Sequence, residues 1–282
     1  MTANARDIAF TRHDGRRGID WLRESYRMFS RHRLGWVGML AGYYIALLVV
    51  DVVPFIGVFI APVLKPVLSV GFLAAAWTQE RGGKPRVADL FMGFRSNLRA
   101  LLVLGAVFVA GITIAVLSTT LVDGGKLIDA LTSPAPATST EREAWANTLN
   151  ATLRDPRTQI AMLFAVLVAL PTLAAMWFAP GLVVFQDLPA FSALAHSLRA
   201  AAANWRPLVL YAMAVFLLGG LLPGLALALL SLVLPASTGP LIAVALLMPY
   251  MFFFAATLHI SDYVSYRDVF HAGETLAPLT PR

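Results

Sequence analysis

The chain has 282 residues, 58% of them hydrophobic and only 13% charged, with a net charge of +6 and no cysteine. A soluble domain carries about 25% charged residues, so this deficit, together with apolar runs of bilayer-spanning length, places the chain among integral membrane proteins. The absence of cysteine excludes disulfides, thiolate metal sites and cysteine nucleophiles. The basic residues flank apolar runs instead of forming one patch, which argues against nucleic acid as a partner.

Taken in order, residues 1–17 are polar and Arg-rich and read as a disordered cytoplasmic tail, not as a cleavable signal. An amphipathic surface helix follows over 18–33, with Ile19, Leu22, Tyr26 and Phe29 on its apolar face and Arg23, Glu24, Arg27 and Arg31 on the other. Trp21 and Trp36 are expected at headgroup depth. Spans 1 and 2 cover about 34–53 and 58–78, joined by a turn at Pro54 and Gly57. A second surface helix, Val87–Leu98, leads into span 3 at about 100–122. The stretch 123–158 is polar, and Thr140-x-x-Glu143 predicts a capped amphipathic helix there, carrying Trp145, Leu149 and Leu153. Span 4 covers about 159–185, a third surface helix Pro189–Ala203, span 5 about 207–234 with breaks at Gly219-Gly220 and Pro223-Gly224, and span 6 about 241–264. The membrane domain is taken as 18–270, with a polar tail over 271–282.

A pattern occurs three times: Ile19-x-x-Leu22-x-x-Ser25-Tyr26-Arg27, Val87-x-x-Leu90-x-x-Gly93-Phe94-Arg95 and Phe191-x-x-Leu194-x-x-Ser197-Leu198-Arg199. Each copy enters a long apolar segment. The expected fold is therefore all-α, a polytopic membrane bundle of six transmembrane helices built as three repeats of surface helix plus transmembrane hairpin. Arg199 and Arg267 are separated by 68 positions, as are Arg27 and Arg95, and Ser265-Tyr266-Arg267 repeats the tripeptide at 25–27. Lys and Arg number 17 on the side of the termini and surface helices and four in the 123–158 loop. The positive-inside rule then puts both termini in the cytoplasm and that loop in the periplasm.

Three groups of residues invite a functional reading. Asp51 and Lys65 are charges within the apolar zone that could meet across the first hairpin, as a substrate or ion site or as a structural ion pair. Arg27, Arg95 and Arg199 could hold anionic lipid headgroups or the acidic surface of a membrane protein partner, or act as plain positive-inside anchors. His259 and Asp262, three residues apart near the inner end of span 6, form a hydrogen-bonded pair or, at a stretch, a proton relay. No His/Cys/Asp/Glu spacing suits a metal, and no nucleotide loop, serine elbow or zinc-protease motif occurs. The chain thus reads as non-enzymatic and without cofactor. A lipid- or partner-binding role in envelope maintenance is the first reading, and a small-solute or ion transporter or channel is the alternative.

Trp177-Phe-Ala-Pro180-Gly-Leu-Val-Val-Phe185-Gln-Asp187, then Ser197-Leu198-Arg199, Asn204-Trp205 and Ser265-Tyr-Arg-Asp-Val-Phe270, resemble uncharacterised six-span inner-membrane proteins of proteobacteria, including the YciC-like group. The resemblance is best over 160–270. It implies an integral inner-membrane protein without established activity and supplies no catalytic residues.

Overall fold

A computed structural model describes residues 8–52, 57–133, 138–235 and 238–271. Six helical stretches are long and apolar enough to cross a membrane: Arg33–Asp51, Ile60–Glu80, Leu98–Asp123, Pro156–Gln186, Trp205–Val233 and Leu241–Phe270. The turn at Pro54 and the tail after His271 lie outside the described residues, as do residues 1–7. Among the described residues there is no strand. Large apolar side chains such as Leu48, Val49, Leu163, Met213 and Leu232 stand more than half exposed along these helices, the surface expected where lipid replaces water.

The elements group into two units, residues 1–105 with 175–282, and residues 106–174. The first holds α1 (Arg17–Arg31), α2 (Arg33–Asp51), α3 (Gly57–Glu80), the 3₁₀ helix Val87–Arg95, the start of α4 (Leu98–Leu117), the end of α8 (Pro156–Gln186), α9 (Ala190–Ala203), α10 (Trp205–Phe216), a π segment Leu217–Leu221, α11 (Leu222–Val233) and α12 (Gly239–Phe270). The second surface element is thus a 3₁₀ helix of nine residues, not an α-helix to Leu98. A Cβ at Gly93 would stand 1.9 Å from the Val67 carbonyl oxygen, and one at Gly71 2.3 Å from the Leu90 Cα. Two glycines, one on each element, therefore let the thin 3₁₀ backbone rest directly on α3. The Asp89 carboxylate accepts from the Arg86 amide at 2.9 Å and caps its start.

In span 5 the sequence breaks become the π segment. Pro223 has no N–H for the turn before it, and the Tyr250 hydroxyl donates to the Leu218 carbonyl at 2.6 Å within the widened turn. The last helix, α12, runs 32 residues, about 48 Å at 1.5 Å per residue, against a hydrocarbon thickness of about 30 Å. It continues past the expected end at 264, and its final turns carry Tyr266, Arg267 and Asp268 beyond the length needed to span.

Within the stretch expected as a disordered tail, residues Thr11 and His13 are bonded into the fold. The Thr11 amide donates to the Val269 carbonyl at 2.7 Å, and the His13 amide donates to the Asn204 side-chain oxygen at 2.9 Å. Asn204 is fully buried and also donates to the Thr11 carbonyl.

The second unit contains α5 (Thr120–Asp123), α6 (Lys126–Thr132), α7 (Ser139–Arg154) and the adjoining parts of α4 and α8. The capping box of α7 is Thr138 with Glu141, two residues earlier than the expected Thr140 and Glu143. The Glu141 amide donates to the Thr138 hydroxyl, and the Thr138 amide donates to the Glu141 carboxylate. Trp145 and Leu153 on α7 stay exposed. Lys126 meets Asp155 at 2.7 Å, and the Asp123 carboxylate caps the start of α6 through the amides of Gly125 and Leu127.

Candidate functional site

The three copies of the repeated pattern share a burial profile. Leu22, Leu90 and Leu194 are buried, as are Ser25, Gly93 and Ser197 beside them. Tyr26, Phe94 and Leu198, at the next position, are 56%, 41% and 40% exposed. Val87 and Phe191 are also exposed at the pattern's first position. The apolar stripe read from spacing is therefore split. Its middle leucine packs inward with the small residue, while its last position faces outward in all three copies and its first in two, Ile19 being half-buried. Arg27, Arg95 and Arg199 follow the outward position and are themselves exposed. The small residue serves a different contact in each copy. The Ser25 hydroxyl donates back to the Trp21 carbonyl, Gly93 admits the α3 backbone, and the Ser197 hydroxyl accepts from the Phe178 amide at 2.9 Å.

Among the depressions formed by the described residues of the first unit, two bear on binding. One, of about 500 Å³, is an apolar groove lined by Ile19, Tyr26, Leu218, Tyr250 and Phe253, with Arg23 at its edge. Arg27 is one turn along α1 from Arg23, on the same face. The other, of about 550 Å³, lies where α1 gives way to α2 and is lined by Arg31, His32, Arg33, Leu34 and Lys84.

A polar cluster that sequence reading missed ties the end of α12 to α1 and α3. Arg17 meets Asp268 through two bonds, at 2.6 and 2.7 Å, and the Trp21 indole donates to the same carboxylate at 2.8 Å. Arg267 donates to Glu24 at 2.6 Å and to Glu80, and Glu80 also accepts from the Tyr263 hydroxyl. Hydrogen bonding to Asp268 holds the Arg17 guanidinium above its ordinary pKa. Glu24, expected on the outer face of the surface helix, thus turns towards α12. Five charges in two interlocked sets fix three helices at one end of the unit. The sequence signal was the repeated tripeptide at 265–267, which flagged Arg267 without showing its acidic partners.

Trp21 and Trp36, expected at a lipid-facing interface, are instead fully buried inside the protein. The Trp36 indole donates to the Gln79 side-chain oxygen at 2.7 Å, and the Gln79 amide donates to the Met28 carbonyl at 2.7 Å. A buried indole needs an acceptor, and both find one inside the protein. Trp205, expected to mark the interface, is 57% exposed.

Asp51 and Lys65 are both exposed, and no ion pair joins them among the described residues. Helix α3 presents Val63, Val67 and Gly71 to α4 and the 3₁₀ helix, and position 65 lies on the opposite side. His259 and Asp262 do share a face, but Nδ1 and Oδ2 are 3.9 Å apart, beyond a hydrogen bond. The His259 ring instead stacks on Phe72, with centroids 4.1 Å apart and planes 10° from parallel. No group of His and carboxylate side chains suited to a metal occurs among the described residues.

The residues that carried the family resemblance converge in space. Phe178, Ala179, Leu182 and Val183 of α8 are buried, as are Ser197, Asn204, Ser265 and Tyr266. Gly181 lies against the Tyr266 ring, 2.6 Å from where a Cβ would stand. These motifs are packing and hydrogen-bonding residues around the end of α12.

No family model matches the chain, and no solved structure matches it. A probable inner membrane protein of Burkholderia thailandensis is 30% identical over 268 residues, covering 94% of each chain. With six helices of spanning length and a relative of that extent, the chain belongs to the family of this inner membrane protein and is itself a multi-pass helical protein of the inner membrane.

Proposed function

We propose that the protein is a non-enzymatic component of the inner membrane that holds anionic lipid headgroups, or a membrane protein partner, through three surface segments on the cytoplasmic face, in support of envelope maintenance. The observation that carries this reading is the repeated pairing of an outward apolar residue with an outward arginine: Tyr26 with Arg27, Phe94 with Arg95, Leu198 with Arg199. An apolar side chain beside a cation suits the boundary between acyl chains and headgroups. The groove lined by Ile19, Tyr26 and Phe253 is apolar, which suits a phospholipid acyl chain. The excess of Lys and Arg near the termini supports the cytoplasmic orientation. The resemblance to the YciC-like proteins agrees with a membrane role without known chemistry.

Native mass spectrometry of the protein released directly from its own membrane tests this. Wild type is expected to retain anionic lipid or a partner, and the triple variant Arg27→Gln, Arg95→Gln, Arg199→Gln is expected to retain measurably less. Bare protein in both samples overturns the reading. The π segment in span 5 supports a second one, a small-solute or ion transporter, because such segments recur at functional sites. Solute flux in proteoliposomes that Lys65→Ala leaves unchanged would remove Lys65 from any such path.

A further inference from the structure

We infer that the pocket at the α1–α2 junction is a headgroup site for an anionic phospholipid, with Arg31, Arg33 and Lys84 as its cationic walls. It is separate from the Arg27, Arg95 and Arg199 contacts, and it rests on the same reading of this end of the protein as a membrane interface. The walls come from two places in the chain. Helix α1 ends at Arg31, His32 leaves helical geometry at φ −140° and ψ 50°, and α2 restarts at Arg33. Lys84, in the loop between α3 and the 3₁₀ helix, lines the same pocket.

The backbone holds that spacing. A Cβ at Gly35 would stand 2.8 Å from the Pro85 carbonyl oxygen, so α2 rests directly on buried Pro85, which keeps its neighbour Lys84 in the same pocket lining as Arg31 and Arg33. No carboxylate lines the pocket. Among the described residues, neither Arg31, Arg33, Lys84 nor His32 pairs with an acid. Elsewhere in the same unit the half-buried cations Arg17 and Arg267 are neutralised by Asp268, Glu24 and Glu80. Arg31, Arg33 and Lys84 are exposed to the outside, and three cations lining about 550 Å³ without a carboxylate form a surface that attracts an anion from outside the chain.

The identity of that anion follows from the rim. Leu34 lies in the lining and is 89% exposed. It sits at the start of a spanning helix, where an outward leucine meets acyl chain, not water. An anion with an attached acyl chain satisfies both surfaces, whereas free phosphate satisfies only one. Three fixed positive charges exceed the single negative charge of one phosphodiester, so a lipid with two phosphodiesters is expected to bind more tightly than a lipid with one. Basic pockets beside transmembrane helices are suited to such headgroups.

The experiment uses the full chain in nanodiscs of zwitterionic lipid, titrated with a diphosphatidyl lipid, with phosphatidylglycerol, and with inorganic phosphate and pyrophosphate. Retained lipid is read by native mass spectrometry. Wild type is expected to take up the diphosphatidyl lipid ahead of phosphatidylglycerol. The triple variant R31Q/R33Q/K84Q is expected to weaken that uptake roughly a hundredfold, and the charge-preserving variant R31K/R33K/K84R to keep most of it. Full displacement by millimolar pyrophosphate overturns the lipid assignment in favour of a soluble anion. If only R27Q/R95Q/R199Q loses lipid, the pocket inference fails while the proposed function stands. If neither triple variant loses lipid, both fail.

Discussion

The indole nitrogen of Trp21 donates to the Asp268 carboxylate at 2.8 Å across 247 residues of sequence. With the two bonds from Arg17 to the same group, this joins the first helix to the last. Asp268→Ala leaves a guanidinium and a buried indole N–H without an acceptor, and is expected to cost about 2–3 kcal/mol. Arg17 keeps some solvent contact, which holds the figure to that range. Unfolding in detergent titrated with SDS measures it. Arg17→Met with Asp268→Leu, which removes both charges, should be less destabilising than Asp268→Ala alone.

Gly93 and Gly224 should respond in opposite directions to the same substitution. A Cβ at Gly93 would collide with the Val67 carbonyl oxygen, while nothing lies within 4 Å of one at Gly224. Gly93→Ala must push the 3₁₀ helix off α3, and is expected to lower stability by at least about 2 kcal/mol. Gly224→Ala, inside α11, should raise it by up to about 1 kcal/mol. Thermal aggregation midpoints in the same detergent compare the two, and equal effects would contradict the close approach.

Tryptophan quenching separates interior from surface. In single-tryptophan variants, Trp205 should be quenched by spin-labelled headgroups, while Trp21 and Trp36 should be protected, since both are fully buried. Strong quenching of Trp36 would show that its bond to Gln79 is not kept in the bilayer.

The Lys126–Asp155 contact carries a pH dependence. Hydrogen bonding to Lys126 holds the Asp155 carboxyl below the ordinary aspartate value of 3.8. A carboxyl with a depressed pKa favours the folded form above its unfolded value, and the preference fades as pH falls through the folded one. The contact should therefore persist at pH 4 and be lost only at lower pH. Because the pair is exposed, its effect on stability is small. NMR titration of the Asp155 side chain reads the midpoint, and Lys126→Met should raise it.

The spans were legible because twenty-residue apolar runs leave little choice of structure. What the sequence concealed was direction. Periodicity placed Tyr26 with Leu22 on one stripe, yet Leu22 packs inward and Tyr26 faces out, because a helix resting on a bundle and in lipid has two apolar faces. Hydropathy put Trp21 and Trp36 at the headgroups, since it carries no record of Asp268 or Gln79 as acceptors. Glu24 read as part of the outer face of the surface helix until the fold brought Arg267 to it and to Glu80. The 3₁₀ form of Val87–Arg95 was hidden in a pair of glycines, Gly71 and Gly93, whose meaning depends on which elements touch.

The surface segments should lie at the lipid boundary, and the cysteine-free chain suits a spin-label test without background mutation. Nitroxides introduced at positions 26, 94 and 198 in a reconstituted bilayer report depth by their relative exposure to oxygen and to a water-soluble relaxant. All three are expected at the depth of the headgroups and upper acyl chains, in the same leaflet. Labels that respond as if in bulk water, or that fall in opposite leaflets, would contradict the assignment of the three segments to one lipid-contacting face.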